Sequence, residues 1–125
     1  MIAFDTNFLV RHLIQDDPKQ CAIVAATIES EADEGRGIML YDVVLCETLW
    51  VLDSAYQANR DDLLVALKAL QDEPVFVFEN PERVAVASKR FETGRADFSD
   101  YLILEIGNEK GNELKTFDKK LMKET

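Results

Sequence analysis

A chain of 125 residues, 47% of them hydrophobic, is long enough to bury one core and too apolar to stay disordered. Its formal net charge of −10 argues against a general phosphate-binding surface. No apolar run reaches the length of a membrane span.

Met1-Ile2-Ala3-Phe4 is short, apolar and followed by Asp5-Thr6-Asn7, which predicts a buried strand and then a helix start. Phe8, Leu9, Val10 and Leu13 fill a short helix. Asp16-Asp17-Pro18 reads as a cap with proline at the first helical position, opening a helix with Cys21, Val24, Ala25 and Ile28 at helical spacing that stops near Gly35. Gly37 to Tyr41 reads as a second strand. Asp42 can cap a helix to about Ala58, and Asn59 another with Leu63, Leu64, Leu67 and Leu70 on its apolar stripe. Pro74 to Phe78 is a third strand, rich in β-branched and aromatic residues. Asn80-Pro81 opens a helix that ends at Gly94, and Asp97 caps one running through Leu102 and Ile106 to Gly107. Leu114-Lys115-Thr116-Phe117 is expected as a fourth strand, with Asp118 starting a short last helix. Strands alternating with helices predict a single α/β domain over 1–125 with a mostly parallel sheet.

The N-terminus lacks the basic residues and cleavage site of a signal peptide, so the cytoplasm is the expected location. Cys21 and Cys46 form no C-x-x-C pair; two buried thiols in a reducing compartment are expected, and zinc is not. Charge is unevenly spread. Residues 1–82 carry five Lys/Arg against 16 Asp/Glu, whereas residues 83–125 carry nine against eight. In that C-terminal third Arg83, Lys89, Arg90, Arg95, Lys115, Lys119, Lys120 and Lys123 are candidates for tracking a nucleic-acid backbone, Arg95, Lys119 and Lys120 foremost.

Four carboxylates stand out from their surroundings. Asp5 is the sole acid of the first ten residues and falls where the first strand ends, the side on which parallel α/β sheets bind ligands. Glu47 is the one charge in Val43-Val44-Leu45-Cys46-Glu47-Thr48-Leu49-Trp50-Val51-Leu52; flanked by Val44 and Val51, it should point inward. Asp100 precedes the apolar run Tyr101-Leu102-Ile103-Leu104, and Asp118 directly follows the fourth expected strand. Two carboxylates about 4 Å apart repel by roughly 4 kcal/mol at an effective dielectric of 20. No matching set of buried bases is present, and hard cations such as Mg²⁺ or Mn²⁺ resolve such a conflict with oxygen ligands. Asp97 and Asp100, at i and i+3, share a helix face and can both reach a metal. Each acid alone can be a helix cap; the set points to chemistry. The remaining acids need no such explanation: Glu29, Glu31, Asp33 and Glu34 read as a solvated helix end, Asp61 and Asp62 as a helix first turn. The single histidine, His12, reads as a surface or packing residue. No Ser/His/Asp arrangement, Walker A loop or G-x-G-x-x-G occurs.

Asp5-Thr6-Asn7 after a short strand resembles the opening of PIN-domain nucleases. Asn7-Phe8-Leu9-Val10-Arg11 with Asp16-Asp17-Pro18-Lys19-Gln20, Glu47-Thr48-Leu49-Trp50-Val51-Leu52, Ala96-Asp97-Phe98-Ser99-Asp100-Tyr101-Leu102-Ile103 and Thr116-Phe117-Asp118 are similar, in the same order, to VapC-type toxins of toxin–antitoxin pairs. The resemblance implies a PIN-like three-layer α/β/α sandwich with a four- or five-stranded, mostly parallel sheet. It also implies Mg²⁺- or Mn²⁺-dependent endonucleolytic cleavage of RNA by metal-activated water. It assigns the acidic positions to Asp5, Glu47, Asp100 and Asp118, with Asp97 as an additional metal-binding acid. Asn7, Thr6 and Thr116 fall at supporting polar positions that orient ligands. The implied partners are an RNA substrate and a small VapB-like antitoxin whose tail occupies the site groove. A homodimer is also expected, served by the Leu63/Leu64/Leu67/Leu70 stripe or nearby apolar helix faces. Core packing accounts for that stripe equally well. Two other readings stay open: a catalytically silent PIN-fold binding module, which predicts no cleavage, and a metal-dependent phosphatase, which predicts turnover of small phosphate esters.

Overall fold

Parallel strand pairing organises the first part of the chain. The computed structural model describes residues 1–124, which fall into two compact units: Met1–Glu79, and a second beginning at Asn80.

In the first unit, β1 (Ile2–Ala3), β2 (Ile38–Leu40) and β3 (Phe76–Phe78) form a parallel sheet in the order β1-β2-β3. Ile2 pairs with Ile38, and Ile38 in turn with Phe76. Parallel neighbours need crossover connections, and here helices supply them. These are α1 (Thr6–Leu13) and α2 (Pro18–Asp33) between β1 and β2, then α3 (Asp42–Tyr56) and α4 (Arg60–Asp72) between β2 and β3. The helix starts follow local chemistry. Asp17 accepts the Gln20 N–H at 3.1 Å with Pro18 behind it, and Asn59 and Asp62 exchange side-chain-to-backbone bonds in a capping box. Leu9, Ile38, Leu40, Leu45, Leu67 and Leu70 are buried, with Phe4 edge-on to Phe76 at 6.0 Å. Leu63, Leu67 and Leu70 are therefore core, which removes them as a homodimer face.

The second unit pairs two helices, α5 (Pro81–Thr93) and α6 (Phe98–Lys110), and continues into the short α7 (Lys119–Met122). Phe91 meets Phe98 edge-on at 6.2 Å. Two ion pairs join α5 to α6: Arg83 to Glu109 at 2.7 Å and Arg90 to Glu105 at 3.0 Å. Arg83 holds the Glu109 carboxyl below the usual carboxylate range, through its hydrogen bonds first and its charge second.

Four expectations need correction. The fourth strand at Leu114–Phe117 does not form; among the described residues the sheet has three strands, not four or five. The segment does alternate half-buried Leu114 and Thr116 with exposed Lys115 and Phe117, the right period for a strand. It makes no ladder, and without inter-strand hydrogen bonds extended backbone is not a strand. Helix α6 runs past Gly107 to Lys110, because an interior glycine costs a helix only about 1 kcal/mol. What stops it is Gly111, at φ +72°. Glu31 is not solvated but 8% exposed, its charge met by Arg36 at 2.8 Å. Both cysteines are free but half-buried, not buried, with Cys21 Sγ 3.5 Å from the Arg11 carbonyl. His12 does pack, as read from the sequence: its ring lies edge-on to Phe76 at 5.4 Å and its Nε2 is 3.2 Å from Glu73. No helix among the described residues is long and apolar enough to cross a membrane.

Candidate active site

In the first unit, Asp5 leaves the end of β1 and caps α1. Its Oδ1 accepts the Phe8 N–H at 2.9 Å, and the side chain is exposed. Asp5 and Asn7 help to line a cavity of about 300 Å³, with Phe8, Arg11, Gln20, Ile23 and Val24. Thr6, the first residue of α1, is half-buried. The Arg11 guanidinium is already engaged by Asp16 and by the Tyr56 hydroxyl, whose hydrogen bond raises its pKa further.

Glu47 does not point inward. The buried face of α3 is Val44, Leu45, Thr48, Leu49 and Leu52. Glu47 lies on the opposite, open face with exposed Val43 and Trp50. An apolar flank on both sides was the sequence cue, but packing buries the stripe centred on Leu45 and Leu49, and Glu47 falls outside it.

The second unit gathers three of the expected acids. Asp97 precedes α6 and Asp100 sits in its first turn, where Asp100 Oδ2 accepts the Asp97 N–H at 3.3 Å. Asp118 caps α7 by accepting the Lys120 N–H at 2.8 Å, and its own N–H donates to the Thr116 hydroxyl at 3.0 Å. Thr116 thus fixes the backbone from which Asp118 projects. Asp100 is half-buried, and its pKa is raised. Burial is the largest cause; the charges of Asp97 and Asp118 add to it, and the Asp97 N–H opposes it. Asp100 therefore feels the negative charge of both Asp97 and Asp118. Arg95, Lys119 and Lys120 are exposed around it.

Among the described residues, no three His, Cys, Asp or Glu side chains converge closely enough to hold a metal ion. The donor chemistry of Asp97, Asp100 and Asp118 nevertheless fits a hard divalent cation: all are carboxylate oxygens, and the repulsion at Asp100 is what a dication relieves. Two residues that the sequence does not single out also belong to this region. Tyr101 is buried and its hydroxyl accepts the Ala96 N–H, and it lies beside Gly94, as does the Glu124 carboxylate. The cue for Tyr101 is general: a tyrosine inside an apolar helix needs a partner for its hydroxyl. Nothing in the sequence names the Ala96 N–H as that partner.

No curated protein sequence matches the chain significantly. The PIN domain family matches residues 2–125. PIN domains are generally nucleases and typically use divalent metals. With nearly its whole length matched, and its acids at the start of α1, in α3, at the start of α6 and before α7, the chain belongs to the PIN domain family.

Proposed function

We propose that this protein is a Mg²⁺- or Mn²⁺-dependent endoribonuclease, and that it serves as the VapC-type toxin of a toxin–antitoxin pair. The observation that carries the reading is Asp100. It is a half-buried carboxylate whose proton affinity is raised by burial and by two neighbouring acids.

In the second unit, Asp97, Asp100 and Asp118 are the residues that would hold the metal; in the first unit, Asp5 and Glu47 are the acids that the reading assigns to the same chemistry. When bound, the metal offsets charge on the phosphate and activates water for attack on phosphorus. The chain's own groups do the rest. One of these carboxylates also accepts a proton from the attacking water. Thr116 holds the Asp118 backbone, while Asn7 and Thr6 supply polar support beside Asp5. The exposed Arg95, Lys119 and Lys120 bind the RNA backbone phosphates. Cleavage leaves 5′-phosphate and 3′-hydroxyl ends. An antitoxin inhibits by placing a basic side chain among the acids, and the active form is a homodimer.

The test is cleavage of a mixed cellular RNA pool by partner-free protein with Mg²⁺, with Mn²⁺ and with chelator, alongside Asp5→Asn. The reading expects metal-dependent cutting that the substitution abolishes. Absence of cutting by folded, metal-supplied protein favours the silent binding module, the second reading that the exposed positions of Asp5 and Glu47 allow.

A further inference from the structure

The cavity beside Asp5 has a volume of about 300 Å³, at the lower end of the range for small-molecule sites. That size suits one flat ring system. Its lining joins two kinds of group. Phe8 and Ile23 are large apolar side chains left 37% and 57% exposed, and the Phe8 ring is backed by that of Phe4 at 5.2 Å. Asn7 and Gln20 bring side-chain amides, and among the described residues neither amide has a hydrogen-bond partner. Each amide offers two N–H donors and a carbonyl acceptor. A flat ring with donors and acceptors on its edge finds both of its needs here: apolar surface for the ring and amides for the edge.

Charge narrows the ligand further. Arg11 is the one cation in the lining, and Asp16 and the Tyr56 hydroxyl already engage it. A phosphate inside the cavity would therefore meet the Asp5 carboxylate with no free cation to offset it. A neutral ring needs no such offset. We propose that this cavity binds one nucleobase of the RNA, next to the scissile bond, with Phe8 and Ile23 against the ring and the amides of Asn7 and Gln20 reading its edge. Apolar and aromatic surface attracts every base, whereas hydrogen-bonding groups tell one base from another. The site thus gives cleavage a base preference beside the cut. The proposal rests on the endoribonuclease reading above, which brings the scissile phosphate to Asp5.

The experiment is an NMR titration of the full chain, in chelator, with AMP, GMP, CMP and UMP in turn, following the side-chain amide signals of Asn7 and Gln20. Ribose 5-phosphate, which lacks the base, and N-acetyltryptophanamide, which stands for an aromatic side chain of a protein partner, are titrated in the same way. At least one nucleotide should shift both amide signals and bind about 10-fold more tightly than the weakest of the four, while ribose 5-phosphate shifts neither. Gln20→Ala should bring the four affinities to within about 2-fold of one another. Ile23→Ala should weaken all four by about 5-fold. Val65→Ala, also exposed but on α4, should change nothing. Equal affinities for the four nucleotides, equal binding of ribose 5-phosphate, or no shift at Asn7 and Gln20 would overturn the proposal. So would uptake of N-acetyltryptophanamide without any nucleotide, which would make the cavity a protein-docking site. The RNA cleavage assay separates this from the parent reading. Base binding by protein that cuts no RNA overturns the nuclease reading and leaves the base site standing. Cutting with no base preference, or with one that Gln20→Ala leaves unchanged, overturns the base site instead.

Discussion

The two units treat their acidic residues differently. In Met1–Glu79 several acids are spent on ordinary tasks: Asp17 caps a helix, Glu31 answers Arg36, and Asp62 closes a capping box. From Asn80 onward, Glu105 and Glu109 do the same work against Arg90 and Arg83. Asp97, Asp100 and Asp118 are the exception. They too sit at helix starts, yet they also raise the proton affinity of Asp100. A cap is satisfied by one carboxylate at the end of one helix. A half-buried carboxylate with two charged neighbours exceeds what capping needs, and that excess is what the proposed chemistry rests on.

The comparison can be broken first at the packing that carries it. Phe91→Ala removes the ring that meets Phe98 between α5 and α6 and should cost about 3–5 kcal/mol in urea unfolding. A cost under 1 kcal/mol would mean that the helix pair does not hold the acids in place. Next in size is Asp118→Asn. Asparagine caps a helix as well as aspartate does, so stability should hardly move while RNA cleavage falls by at least about 100-fold. Retained cleavage would return Asp118 to the class of plain caps. The reverse pattern is expected at Asn59→Ala in the first unit. It should lose about 1 kcal/mol of stability with the capping box and leave cleavage untouched.

Most of the secondary structure is legible in the sequence because helix starts are local chemistry. Asp17-Pro18, Asn59 and Asn80-Pro81 name their helices within a residue or two, and so do Asp97 and Asp118. Properties decided by distant partners are not legible. Leu114–Phe117 has the alternation of a strand, but a strand exists only where another pairs with it. The direction of Glu47 depends on which stripe of α3 the core accepts, and the apolar residues around it permit more than one answer. Glu31 looks solvated until Arg36 turns back to it. The acids themselves are legible as residues out of place. The repulsion at Asp100, and the hydroxyl of Tyr101 reaching the Ala96 N–H, need the folded chain.

The most direct test of the central claim is to measure stability and RNA cleavage together for Asp100→Asn. With its folded pKa raised, Asp100 favours the folded state most below the ordinary carboxylate value of 3.8, and that contribution is lost as pH rises through the raised value. At neutral pH the ionised group is therefore a liability. Replacing it with neutral asparagine, which can still accept the Asp97 N–H, should raise Tm at pH 7, with the gain disappearing as pH falls below 3.8. Cleavage should be lost at the same time, the exchange of function for stability expected of an active-site charge. A variant that is less stable at pH 7, or that still cuts RNA, would contradict the account.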